Sequence, residues 1–173
     1  MADRNVFLVG MPAVGKSTIG RLLSKLLKCE FFDSDREIEE RAGADTPWIF
    51  DVEGEAGFRA REQQVIEDLS QRQGIVLATG GGAVLRAANR AALSARGVVI
   101  LLDSSDQRIA QRTSKDTRRP MFAQGDARET IRRIRAERLP LYREIADYEF
   151  VTDKKAPRAV AQEILQDANL LLR

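Results

Sequence analysis

Residues 10–17, Gly-Met-Pro-Ala-Val-Gly-Lys-Ser, constrain the fold of this chain more than any other stretch. They fit G-x-x-x-x-G-K-[ST] in full. The apolar run Val6-Phe7-Leu8-Val9 leads into them, as a buried parallel strand would. Behind them, Ile19, Leu22, Leu23, Leu26 and Leu27 make a stripe at helical spacing over residues about 16–28. The turn between strand and helix suits an anion. Its glycines let the backbone wrap closely, and its N–H groups and the helix N-terminus point at phosphate oxygens. Lys16 can reach β- and γ-phosphates, and the Ser17 hydroxyl can ligate magnesium. Ala13, Val14, Gly15, Lys16, Ser17 and Thr18 are the expected nucleotide contacts. An alanine at position 13 is expected to keep a negative φ, because Cβ resists the left-handed region.

The rest of the chain alternates in the same way. Phe31-Phe32 enters Asp33-Ser34-Asp35 as a brief strand, and helices are expected over about 35–42 and 46–72, with Thr46-Pro47 as cap and first turn. Ile75–Ala78 is a third strand, stopped by Thr79-Gly80-Gly81-Gly82. A helix near 86–95, a strand over 98–102 and a helix from Ser105 to about Arg112 follow. Residues 113–126 are polar and read as a loop able to serve as a lid. A long helix over about 127–145, a strand at 149–151 and a helix over 157–172 complete the chain. The alternation predicts a single α/β domain of three layers, a parallel sheet covered by helices on both faces.

Composition excludes several chemistries. The chain has 173 residues and no histidine, so imidazole can supply neither a base nor a metal ligand. A net charge of +2, without interleaved aromatics, argues against a nucleic-acid surface. The arginines at 112, 128, 132, 133, 135 and 143 are accordingly expected on solvated helix faces. One cysteine, Cys29, cannot form an internal disulfide and fits a reducing cytoplasm. No apolar run approaches the roughly 20 residues that span a bilayer, and the first residues run directly into a strand, so no leader is expected.

Further motifs suggest a second ligand. Asp33 and Asp35 are two apart at a strand end; in extended chain both would face one side. The third strand ends without an acid where many phosphate-loop enzymes hold magnesium, so Asp33 is the nearest substitute and Asp35 could orient an acceptor hydroxyl. The alternative is that one or both cap the following helix. Arg59 and Glu62, at i and i+3, are either a weak surface pair or an arginine oriented to grip a carboxylate. Gly80–Gly82 suits backbone approaching a ligand. Arg119, in the polar loop, could close over a transferring phosphate.

In its ordered motifs the chain resembles the shikimate kinases, P-loop small-molecule kinases of nucleoside-monophosphate-kinase-like fold. The resemblance rests on Gly10–Ser17, Asp33-Ser34-Asp35, Phe58-Arg59-x-x-Glu62, Thr79–Gly82, Arg119-Pro120 and Arg138-x-Pro140-Leu141-Tyr142. It implies a five-stranded parallel sheet, a substrate-binding subdomain at about 33–62 and a lid at about 113–126. It implies transfer of the ATP γ-phosphate to the 3-hydroxyl of shikimate, with Mg2+, on the route to chorismate and aromatic amino acids. Residue by residue, Lys16, Asp35 and Arg119 take catalytic positions, and Ser17 and Asp33 the magnesium side. Asp35, Arg59, Gly80, Gly81, Gly82 and Arg138 contact the substrate, with the two arginines on its carboxylate. Phe50 and Phe58 form an apolar wall under the ring, and Lys155 stands on the adenine side. A cytoplasmic monomer binding only small molecules is expected. The rivals are a gluconate kinase of the same shape, a nucleotide-binding regulatory protein without turnover, and a nucleic-acid binder.

Overall fold

A computed structural model describes residues 4–114 and 126–170. Within them the chain runs β1 (Asn5–Val9), α1 (Lys16–Leu27), β2 (Glu30–Asp33), α2 (Ser34–Ala42), α3 (Thr46–Ser70), β3 (Ile75–Ala78), a 3-10 turn (Ala83–Leu85), α4 (Ala87–Arg96), β4 (Gly97–Asp103), α5 (Asp106–Thr113), α6 (Ala127–Ile145), β5 (Tyr148–Val151) and α7 (Pro157–Asp167). The strands form one sheet in the order β2-β3-β1-β4-β5, every neighbouring pair parallel. The three inner strands are buried almost throughout, which is why they read as unbroken apolar runs. Helices flank the sheet: α1 packs against α7, α4 against α3 and α6, and α5 against α6. The expected three-layer α/β fold is therefore present.

The strand order matters for the site. β1 lies between β3 and β4, so the chain leaving β1 emerges where neighbouring connections diverge, the usual place for a ligand in an open parallel sheet. The carboxyl ends of β1, β2, β3 and β4 release Gly10, Asp33, Thr79 and Asp103 along this one edge. At the opposite edge, Asn5 pins the sheet: its Nδ2 donates to the carbonyls of Ser70, Arg72 and Arg96, and its Oδ1 accepts from Ile75 N.

Several local expectations change. Asp33 and Asp35 are not neighbours in an extended chain, because α2 begins at Ser34. Asp33 caps it, its Oδ1 accepting from the N–H groups of Asp35 at 3.0 Å and Arg36 at 3.3 Å. The cap of α3 is Asp45, which accepts from Trp48 N at 3.0 Å, rather than Thr46. Gly54, at φ 74° and ψ 177°, breaks α3 into two arms that periodicity alone runs together. The last helix stops at Asp167, short of the expected 172. Among the described residues no helix is long and apolar enough to cross a membrane.

Ala13 is the clearest departure. Its φ is +64°, not negative. A left-handed alanine costs roughly 1 kcal/mol. The guanidinium of Arg112 helps hold this geometry, donating to the Ala13 carbonyl at 2.9 Å.

Candidate active site

The turn after β1 and the start of α1 form the floor of a cavity of about 340 Å³. Ala13, Gly15, Lys16, Ser17 and Thr18 line it, with Asp33, Asp35, Thr79, Gly80, Gly81, Arg112 and Pro157 around the rim. Lys16 is buried at the mouth, its ammonium donating to the carbonyls of Gly10 at 2.6 Å and Met11 at 2.8 Å. Val14 differs from its neighbours: its side chain is in the core, and its carbonyl accepts from Thr152 Oγ1 at 3.1 Å. The first N–H groups of α1 have no helical partner and open toward this space.

Asp33 does two jobs. While Oδ1 caps α2, Oδ2 accepts from the hydroxyl of Ser17. The capping alternative therefore holds for Asp33, and the same carboxylate also lines the cavity. Asp35 is the second residue of the same helix and faces the glycine strip. A Cβ on Gly80 would come within 2.5 Å of Asp35 Oδ1, and one on Gly82 within 2.5 Å of Arg59 Nη1. The missing side chains thus make room for two charged groups rather than for flexibility. Gly80 N also donates to the buried Ser34 hydroxyl at 2.9 Å, which fixes the strip against α2.

Beyond the strip lies a second cavity of about 440 Å³, lined by Phe50, Glu55, Arg59, Leu85, Arg133, Ile134, Glu137 and Arg138. Its charges are not surface charges. Arg59 and Arg138 are buried and Glu62 has no exposure at all, so the Arg59–Glu62 contact at 2.9 Å is an interior ion pair. Burial pushes the Glu62 carboxyl up to about 7, against the opposing pull of Arg59, while nearby Asp35 raises it further. Tyr142, one turn after Arg138 on α6, donates its hydroxyl to the Gly81 carbonyl at 2.5 Å. Burial raises its proton affinity well above that of an ordinary phenol, so it remains a donor. Phe58 is in the core and supports Phe50, their ring centroids 4.6 Å apart.

Most of the site residues named from sequence meet at this edge of the sheet. Lys155 does not line the phosphate cavity. It pairs with Glu163 at 2.9 Å and lines a separate groove with Ser105, Arg108 and Asp153. Arg119 and the central part of the expected lid lie outside the described residues. Sequence reasoning quoted Thr79 in a motif without a site role, and it missed Arg112 and Pro157 on the cavity wall. It also placed Arg135 in solvent. That guanidinium is instead partly buried, donating to Asp106 at 2.6 Å, to Asp103 at 2.8 Å and to the Ser104 carbonyl at 2.6 Å. A charged residue on an amphipathic helix gives no local signal of such partners.

Comparison with known proteins agrees with this geometry. The family model described as shikimate kinase matches residues 12–169. A shikimate kinase of Legionella pneumophila is 55% identical over 163 residues, covering 94% of this chain and 93% of the relative. One from Pseudoalteromonas atlantica is 52% identical over 166 residues, covering 96% and 97%. The solved shikimate kinase of Acinetobacter baumannii in complex with shikimate superposes with a TM-score of 0.94 at 46% identity, covering 96% of this chain and 93% of that one.

Proposed function

The chain belongs to the shikimate kinase family, and on that premise we propose that the two cavities hold ATP and shikimate for transfer of the γ-phosphoryl group to the 3-hydroxyl, giving shikimate 3-phosphate and ADP. The observation that carries this reading is the meeting of Asp35, Arg59 and Arg138 around one buried carboxylate, beside a complete phosphate loop. A ring with one carboxylate and several hydroxyls fits such a pocket. Arg59 and Arg138 take the carboxylate, Phe50 supports the ring, and Asp35 turns a hydroxyl toward the phosphate cavity.

The chemistry is then positioning and electrostatics. The ammonium of Lys16 and the loop N–H groups hold the phosphate chain. Asp35 aligns the hydroxyl with the γ-phosphorus and receives its proton as the O–P bond forms and ADP leaves. Arg119 closes on the transferring group. Ser17 and Asp33 offer adjacent oxygens at the rim, the donor type a hard cation prefers, and so fit Mg2+. Magnesium there would neutralise charge on the β- and γ-phosphate oxygens. Arg112 and Pro157 line the outer wall, where the rest of the nucleotide extends. The working form proposed is a cytoplasmic monomer that takes small molecules, with neither nucleic acid nor membrane as partner. Residues 33–62 act as its acceptor subdomain and 113–126 as its lid.

An ADP-release assay tests the reading. ADP production should depend on shikimate and not respond to gluconate. Equal stimulation by gluconate, or ATP consumption indifferent to any acceptor, would overturn it.

A further inference from the structure

Glu62 occupies a place that the transfer reaction does not use. It is fully buried behind the second cavity. Charged groups reach it from three elements: Arg59 from its own helix α3, Asp35 from α2, and Arg138 from α6. Two further groups stand behind these. Glu55 lies 3.6 Å from Arg59 Nε but is largely exposed and screened by water, and the Tyr142 phenol stays neutral.

The hydrogen bonds in this cluster are incomplete. Glu62 Oε2, Arg59 Nε, and Arg138 Nε and Nη1 are buried with no hydrogen-bond partner among the described residues. Buried polar atoms without partners are rare, and so many together mark a place prepared for another polar group.

Charge decides what accompanies that group. With Glu62 ionised, the buried Arg59 and Arg138 face the buried Glu62 and the half-buried Asp35, and the four charges sum to zero. A carboxylate arriving on the arginines adds one negative charge beside these buried groups. An uncompensated buried charge is costly, and a titratable neighbour relieves it by taking a proton.

We propose that Glu62 takes up a proton from solvent when the acceptor's carboxylate binds, so that the pocket receives a carboxylate and a proton together and Glu62 sets its charge preference. This rests on the reading that shikimate docks its carboxylate on Arg59 and Arg138. The free-protein value near 7 puts the event within reach at neutral pH. Below that value Glu62 already carries its proton, and binding draws in none. Above it the free protein is ionised while the bound one is protonated, so affinity falls as pH rises, by at most about tenfold per pH unit.

Calorimetry of shikimate binding in buffers of different ionisation enthalpy reads the proton directly. At about pH 7.5, uptake of a large fraction of one proton is expected, shrinking toward none near pH 5.5. E62Q should bind shikimate without proton uptake and with a dissociation constant nearly flat in pH. Should E62Q not fold, carboxyl-labelled glutamate NMR on the natural protein replaces it, and the Glu62 resonance must titrate higher with shikimate bound than without. Binding with no proton uptake at about pH 7.5 overturns this inference alone, as does uptake that persists in E62Q or a Glu62 resonance that shikimate leaves unmoved. No shikimate binding at any pH overturns both the inference and the functional reading beneath it.

Discussion

The phosphate cavity and the acceptor cavity lie side by side, yet they are built by opposite means. The floor of the first comes from one contiguous stretch, Ala13 to Thr18, whose groups for an anion are mainly backbone N–H. The second is assembled from positions as distant as Phe50, Arg59 and Arg138, and its recognition groups are side chains. In the first the side chains are paired, Lys16 on the loop carbonyls and Ser17 on Asp33, while the N–H groups heading α1 stay open. The second keeps buried nitrogens and an oxygen unpaired. A backbone site can wait with internal hydrogen bonds at small cost. A side-chain site that must release its ligand holds charges whose partners come and go, and the surrounding fold has to keep them in position.

If the two are separable in this way, substitutions should divide cleanly. Lys16→Ala should have the largest effect, lowering kcat by about a thousandfold or more with only a small change in melting temperature; near-normal turnover would remove the phosphate loop from the chemistry. Arg138→Ala should come next, raising KM for shikimate by roughly a hundredfold and leaving KM for ATP within about twofold, as steady-state kinetics would show. A matching rise for ATP would mean that the two cavities are one cooperative unit. Ala13→Gly should be smallest. Relief of the left-handed strain, offset by the greater freedom of glycine in the unfolded chain, predicts a gain of no more than about 1 kcal/mol in denaturant unfolding, with both KM values unchanged.

How much of each region could be read from sequence follows from the same contrast. The phosphate loop was legible because a contiguous motif carries its geometry with it. The limits of β3 and α6 were legible as well, since an apolar run and a sustained helical pattern are local signals. Ala13 misled, because a steric rule for isolated alanine takes no account of an arginine from α5 gripping its carbonyl. Arg59 and Glu62 have the same spacing whether the pair is exposed or buried. What buries them is the glycine strip and α6, both remote in the chain, so spacing left both readings open and the resemblance to a family favoured the second. Arg112 and Arg135 had no such pointer, and an amphipathic pattern assigns every arginine on its polar face to water. The break at Gly54 stayed hidden because the residues on either side continue in helix-forming types.

Asp33 imposes a constraint of a different kind. The two oxygens of one short side chain fix the corner between β2 and α2 and hold the serine at the head of α1. Lengthening that side chain by a single carbon would push both attachments out of register at once. The shape of that corner and the place of Ser17 at the head of α1 therefore depend on the same two atoms.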